Sequence, residues 1–107
     1  MFFIIKLIIK KGDYIYTMKH TLNIPIQTFC VVSTLGDFTP LRFRFENSEH
    51  EIITVNINEV LSRKETNFAG INEIKYVCNA LIDEEMKMFE LKYSIPTHRW
   101  SFFQMLN

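Results

Sequence analysis

Glycine and proline are scarce in this 107-residue chain, three of each, which excludes the composition of a disordered or low-complexity segment. Cysteine is scarcer still. Cys30 and Cys78 stand far apart with no CxxC pair, and His20, His50 and His98 are scattered without metal-ligand spacing. No metal and no cofactor are expected. Two isolated thiols, in a chain with no secretion signal, predict free core cysteines in a reducing, cytoplasmic setting. Neither sign of charge is in excess, with twelve Lys and Arg against twelve Asp and Glu. Nucleic-acid binders usually carry a basic surplus, so the balance disfavours nucleic acid as a partner while leaving a local patch open. The apolar run near the N-terminus is broken by Lys6 and is too short to span a bilayer. It also lacks the basic start and cleavage site of a signal peptide. No Ser-His-Asp, Cys-His or Gly-rich phosphate pattern occurs, so the chain is not expected to be an enzyme.

What the chain has is aromatic bulk: ten Phe, four Tyr and one Trp. A domain of this length buries only part of its surface, so large side chains must carry the core. Residues 18–107 are expected to form one β domain. Residues 1–17 look foreign to it. They are nearly all Phe, Ile, Lys and Tyr, and Lys10-Lys11-Gly12-Asp13 can be encoded by a string containing AAGGAG, a bacterial ribosome-binding sequence, ahead of Met18. This segment reads either as translated leader before a start at Met18 or as an extra hairpin of Phe2 to Ile9 and Tyr14 to Met18. Without it three Lys and one Asp leave, so nine basic residues face eleven acidic ones.

Alternation of apolar and polar residues marks five further strand segments and a last one. The first is Leu22 to Thr34, with Pro25 making its first half an edge or a lead-in. A loop over Leu35 to Pro40 follows. Leu41 to Glu46 and Glu51 to Ile57 pair across a three-residue loop, Asn47-Ser48-Glu49, setting Phe43 opposite Ile53 and Glu46 opposite His50. Asn58 to Gly70 reads as one helical turn or a loop, with Asn58 as cap and Gly70 as stop. Ile71 to Ile82 and Lys87 to Ile95 flank the turn Asp83-Glu84-Glu85-Met86, pairing Ala80 with Phe89 and Tyr76 with Tyr93. Pro96-Thr97-His98-Arg99 then leads into Trp100 to Leu106. The expected fold is mainly β: an antiparallel meander of five to six strands, curled into a small barrel, with at most one short helix. Its core is expected to hold Phe43, Phe45, Ile53, Val55, Ile74, Tyr76, Cys78, Phe89, Leu91, Tyr93 and Trp100.

Candidate partner-binding residues are Arg42, Arg44, Arg63, Lys64 and Phe68. Arg42 and Arg44 alternate with phenylalanines, a pattern that can place cations on phosphates and rings on bases. Alternation nevertheless turns Phe43 and Phe45 to the opposite side, so a solvated polar face is the plainer reading. Arg63 and Lys64 are followed at once by Glu65, as in a solvated loop. Phe68 either stands exposed in that loop or plugs the barrel end. Asp83-Glu84-Glu85 reads as a water-screened turn, not an acid–base or ion site.

Pro40-Leu41-Arg42-Phe43-Arg44-Phe45-Glu46, then Val55 to Leu61, then Glu90-Leu91-Lys92-Tyr93 and Arg99-Trp100 give residues 38–106 an order of signals. It resembles that of small uncharacterised bacterial β domains, some encoded beside or fused to Y-family translesion DNA polymerases. The resemblance implies an accessory of DNA damage tolerance, with weak nucleic-acid or polymerase binding. It brings no catalytic residues, and neither Gln27 nor Gln104 begins a sliding-clamp-binding peptide. The residues themselves point first to a non-catalytic module that binds another protein, with no membrane partner and with a homodimer through an edge strand as a further option. Because each expected hairpin matches its apolar faces without residues 1–17, a chain beginning at Met18 should unfold in one cooperative thermal transition; an insoluble product would put the leader in the core.

Overall fold

Apolar side chains at every second position need a strand to bring them to one face, and seven strands do so in the computed structural model, which describes residues 21–106. They are β1 (Thr21–Val32), β2 (Phe38–Glu46), β3 (Ile52–Asn56), β4 (Glu59–Phe68), β5 (Ile71–Ile82), β6 (Glu85–Ser94) and β7 (Arg99–Met105). They form one antiparallel sheet in the order β3-β2-β1-β7-β6-β5-β4, curled into a half-barrel. The mainly β meander is as expected, with more strands. The leader or hairpin assigned to residues 1–17 lies outside the described residues.

β3 and β4 occupy opposite ends of the sheet order, yet only Ile57 and Asn58 separate them in sequence. The chain therefore steps from one edge of the curled sheet to the other. Ile57 N–H donates to Leu41 O on β2 (2.9 Å), and Asn58 N–H donates to Asn79 O on β5 (2.8 Å). β1 is shared in a similar way. Its residues up to Ile26 pair with β7, and those from Gln27 onward pair with β2. Pro25 thus has a partner strand on one side only, where its missing N–H costs no ladder bond.

The concave side holds the core. Phe43, Tyr76, Cys78, Phe89, Leu91 and Phe102 are almost fully buried. The Phe43 ring meets those of Phe89 (5.6 Å), Phe102 (5.8 Å) and Phe45 (6.3 Å between centroids), at separations where aromatic pairs add to burial. Of the expected core, Ile53 and Trp100 are only partly buried, packed against its margin. Ile24, Ala80, Ile82, Phe102 and Met105, outside the expected set, join it.

No helix occurs among the described residues. Asn58 is not a helix cap, and Glu59 to Phe68 is strand β4. Polar side chains on both faces gave this segment a loop's composition; β4 holds its place by pairing along β5 as an edge strand. Gly70 works in the two-residue turn that joins them, where Ala69 and Gly70 have φ of 53° and 81°, as a type I′ turn requires. The loop expected at Leu35 to Pro40 is Ser33 to Asp37, held by Ser33 Oγ accepting the N–H groups of Leu35 and Asp37; Pro40 is a buried strand residue.

Three hairpins keep the expected faces but slip in register. Ala80 lies opposite Lys87, and Cys78 opposite Phe89, because the turn is only Asp83-Glu84, both at positive φ. Tyr93 lies opposite Trp100 and not the expected Phe102, because the loop is Ile95 to His98 and not the expected Pro96 to Arg99. Phe43 lies opposite Val55 because the loop is longer, Asn47 to Glu51. There the buried Asn47 accepts the N–H groups of Glu49 and Glu51 through Oδ1 and donates to the Glu51 carboxylate. Each slip spans two residues, since a slip of one would turn the apolar set outward.

Phe43→Ala should cost about 3–5 kcal/mol by removing the ring that joins three others. Leu35→Ala, at a side chain 88 % exposed in a loop, should stay within about 0.5 kcal/mol. Chemical denaturation of both variants checks the face assignment.

Candidate functional site

Two surfaces depart from a plain β domain. The first is a cleft in the barrel wall. In the β2–β3 ladder the Asn47–Glu51 and Leu41–Ile57 pairs are hydrogen-bonded, so antiparallel alternation makes Phe45–Ile53 and Phe43–Val55 the bonded pairs between them. The peptide groups of Ile52, Thr54 and Asn56 therefore point away from β2. On the other side, the two-residue turn makes Ile82–Glu85 a bonded pair, so the peptide groups of Leu81 point away from β6. The two sets face each other across a cleft of about 540 Å³, lined by residues 53–58 and 81–83. Among the described residues no strand pairs with either set. The cleft narrows to Asn58 and Asn79, whose side-chain amides also bond (3.2 Å). Ile52 and Leu81 stand 61 % and 65 % exposed beside it.

The second surface is the convex face of β1 and β2. Arg42 and Arg44 are both exposed there, as expected. Phe43 and Phe45 are buried beneath, so the expected opposition of Arg and Phe along β2 holds. A ring nevertheless reaches the arginines from β1. Phe29 lies opposite Arg42 in register, with the Arg42 guanidinium 4.5 Å and the Arg44 guanidinium 5.3 Å from its ring centroid. Both distances are within cation–π range. Gln27 Oε1 accepts the Arg44 Nε–H. Neither arginine is ion-paired to a described carboxylate. Phe29 escaped notice in the sequence because it sits in the apolar run Phe29-Cys30-Val31-Val32. The alternation of the inward Ile24 and Ile26 turns Phe29 outward, and strand pairing, ahead of the bulge at Phe29/Cys30, sets it beside Arg42.

The remaining candidates do not gather with these. Arg63 and Lys64, neighbours on β4, project to opposite faces. Arg63 lies opposite Tyr76 and pairs with Glu65 (3.2 Å); its pKa is raised by the bond to the Tyr76 hydroxyl first and by Glu65 after it. Lys64 lies opposite Lys75 on the outer face. Phe68 ends β4 opposite Ile71, and its side chain lies outside the described residues. Glu84 and Glu85 are exposed at the β5–β6 turn and Asp83 is half-buried there. Among the described residues no three His, Cys, Asp or Glu side chains are grouped to hold a metal ion.

The titratable groups inside the barrel are suppressed by burial. Desolvation pushes the Cys78 thiol up to about 12, and raises Cys30 as well. Tyr76 is raised chiefly by burial, partly offset by Arg63, and its hydroxyl donates to Phe38 O (3.1 Å). Both cysteines are free. Comparison of the chain with protein families, with curated proteins and with solved structures gives no match. Among the described residues no helix is long and apolar enough to cross a membrane.

The Cys78 shift has a definite sign for stability. An acid whose pKa rises on folding stabilises the fold below its ordinary value, here 9.0, and that contribution is lost as pH climbs towards 12. The melting temperature should fall across this window, and fall less steeply in Cys78→Ala, as read by thermal scans at successive pH values.

Proposed function

We propose that the chain is a non-catalytic module of the bacterial cytoplasm that binds another protein by accepting one of its strands into the cleft between β3 and β5. What carries this reading is the contrast between the two edges of the sheet. β4 is guarded in the usual manner, with Arg63, Lys64 and Glu65 along its free edge, charges that discourage a second chain from pairing. β3 reads Ile52-Ile53-Thr54-Val55-Asn56, without charge or proline, rich in residues that favour strands, and it faces an open cleft. An extended segment laid there would bond to the peptide groups of Ile52, Thr54 and Asn56, and its alternate side chains would turn towards Ile53, Val55 and Ile82.

Thr54→Pro tests the reading cleanly. The Thr54 N–H points away from β2, so proline removes a bond to an incoming strand without breaking the native ladder. In native lysate the wild-type chain should retain a stoichiometric protein, and Thr54→Pro should lose it while melting within a few degrees of wild type. Equal retention by both, or no stoichiometric partner for either, would refute strand capture at β3.

A further inference from the structure

We infer that Arg42, Arg44, Phe29 and Gln27 form a second binding site, for the phosphate backbone of a single-stranded nucleic acid, independent of the β3 cleft. Arg44 spends its Nε–H on Gln27, which leaves its two terminal nitrogens free. Arg42 makes no hydrogen bond or ion pair among the described residues, so its whole donor fork is unspent. Both guanidiniums rest on one ring, at 4.5 and 5.3 Å from its centroid, which holds two long side chains in place before any ligand arrives. An exposed guanidinium also offers a plane on which a base can stack.

A matching cluster on the same sheet shows what a merely structural version looks like. Lys75 and Lys92 flank Phe103 at 4.8 and 4.6 Å, the same cation–ring–cation arrangement. Lys92 is only 16 % exposed and pairs with Glu73 at 3.5 Å. There one of the two charges is compensated, and both lysines are half-covered. At Phe29 both cations are exposed, and the residues opposite them on β3, Asn56 and Thr54, carry no charge.

The open setting also selects the partner's class. On an exposed sheet face a single carboxylate from an acidic peptide gains at most about 1 kcal/mol from an arginine, screened as it is by water. A polyphosphate chain gains by releasing its condensed counterions, which needs no burial. A zero net charge does not oppose this, because the site draws on two local cations and not on a basic surface.

The test is a fluorescence-anisotropy titration of a labelled oligothymidine at low salt, with the full chain. Wild type should bind, with log K falling against log salt at a slope of about −1.4, the value for two neutralised phosphates on a single strand. Arg42→Gln with Arg44→Gln should weaken binding at least tenfold and flatten the slope. Arg42→Lys with Arg44→Lys should keep the slope while losing affinity, since lysine retains charge without the stacking plane. Thr54→Pro should bind the oligonucleotide as wild type does. Absence of binding at low salt, a Gln variant that binds like wild type, or equal binding of an oligoglutamate would each overturn the assignment.

Discussion

Two hydrogen bonds from adjacent peptide groups, Ile57 to β2 and Asn58 to β5, hold the two edges of the sheet within one residue of each other. Everything else about the barrel wall follows from that step. A strand that changes partner cannot be bonded on both sides along its whole length, so β3 has β2 on one side and the cleft on the other. β4 likewise has only β5. The side chains of Asn58 and Asn79 reinforce the step, with Glu59 accepting from Asn79 (3.4 Å). The half-barrel is therefore closed at a point and open elsewhere, and the opening is as much a product of the backbone as the closure.

The core tolerates this because contacts between rings from three strands hold it together. Phe43, Phe89 and Phe102 come from β2, β6 and β7, and Phe89 with Phe102 stack at 5.5 Å. Near the cleft only Val55 and Ile82 are buried, while Ile53 and Ile57 are half-covered. Most residues that border the cleft are thus exposed or half-covered, the kind of region where local opening costs least.

Much of this was legible in the sequence, and what was not shares one cause. Alternation along β2, β5 and β6 identified the buried side of each strand, because burial acts on every second residue within a strand. It could not set the two-residue slips. That of β5–β6 was decided by Asp83 and Glu84 entering positive φ, a conformation that asparagine, aspartate and glycine announce but glutamate does not, and that of β2–β3 by the longer loop that Asn47 organises. β4 was missed because an edge strand exposed on both faces has no apolar period to read. The site on β1 and β2 was half legible. The two arginines stood out, but Phe29 belongs to it only through the pairing of β1 with β2, a relation between strands that no single segment records.

The two surfaces lie on one hairpin, and this constrains how they relate. Arg42 and Arg44 project from β2 at the positions opposite Asn56 and Thr54, the residues whose peptide groups border the cleft. A strand added to β3 would put its own outward side chains beside Thr54 and Asn56, one strand from the arginines. Strand addition leaves the guanidiniums uncovered, since it extends the sheet sideways and not outward. The end of the hairpin beyond Arg44 is also free of β1, with a second cleft of about 470 Å³ between residues 25–27 and 44–46. A hairpin supported by one neighbour for half its length is held in place more firmly once a strand binds its other side. Occupation of the β3 cleft should therefore steady the arginine pair and not compete with it, because the added strand lies beyond the sheet's edge while the guanidiniums stand on its outer face.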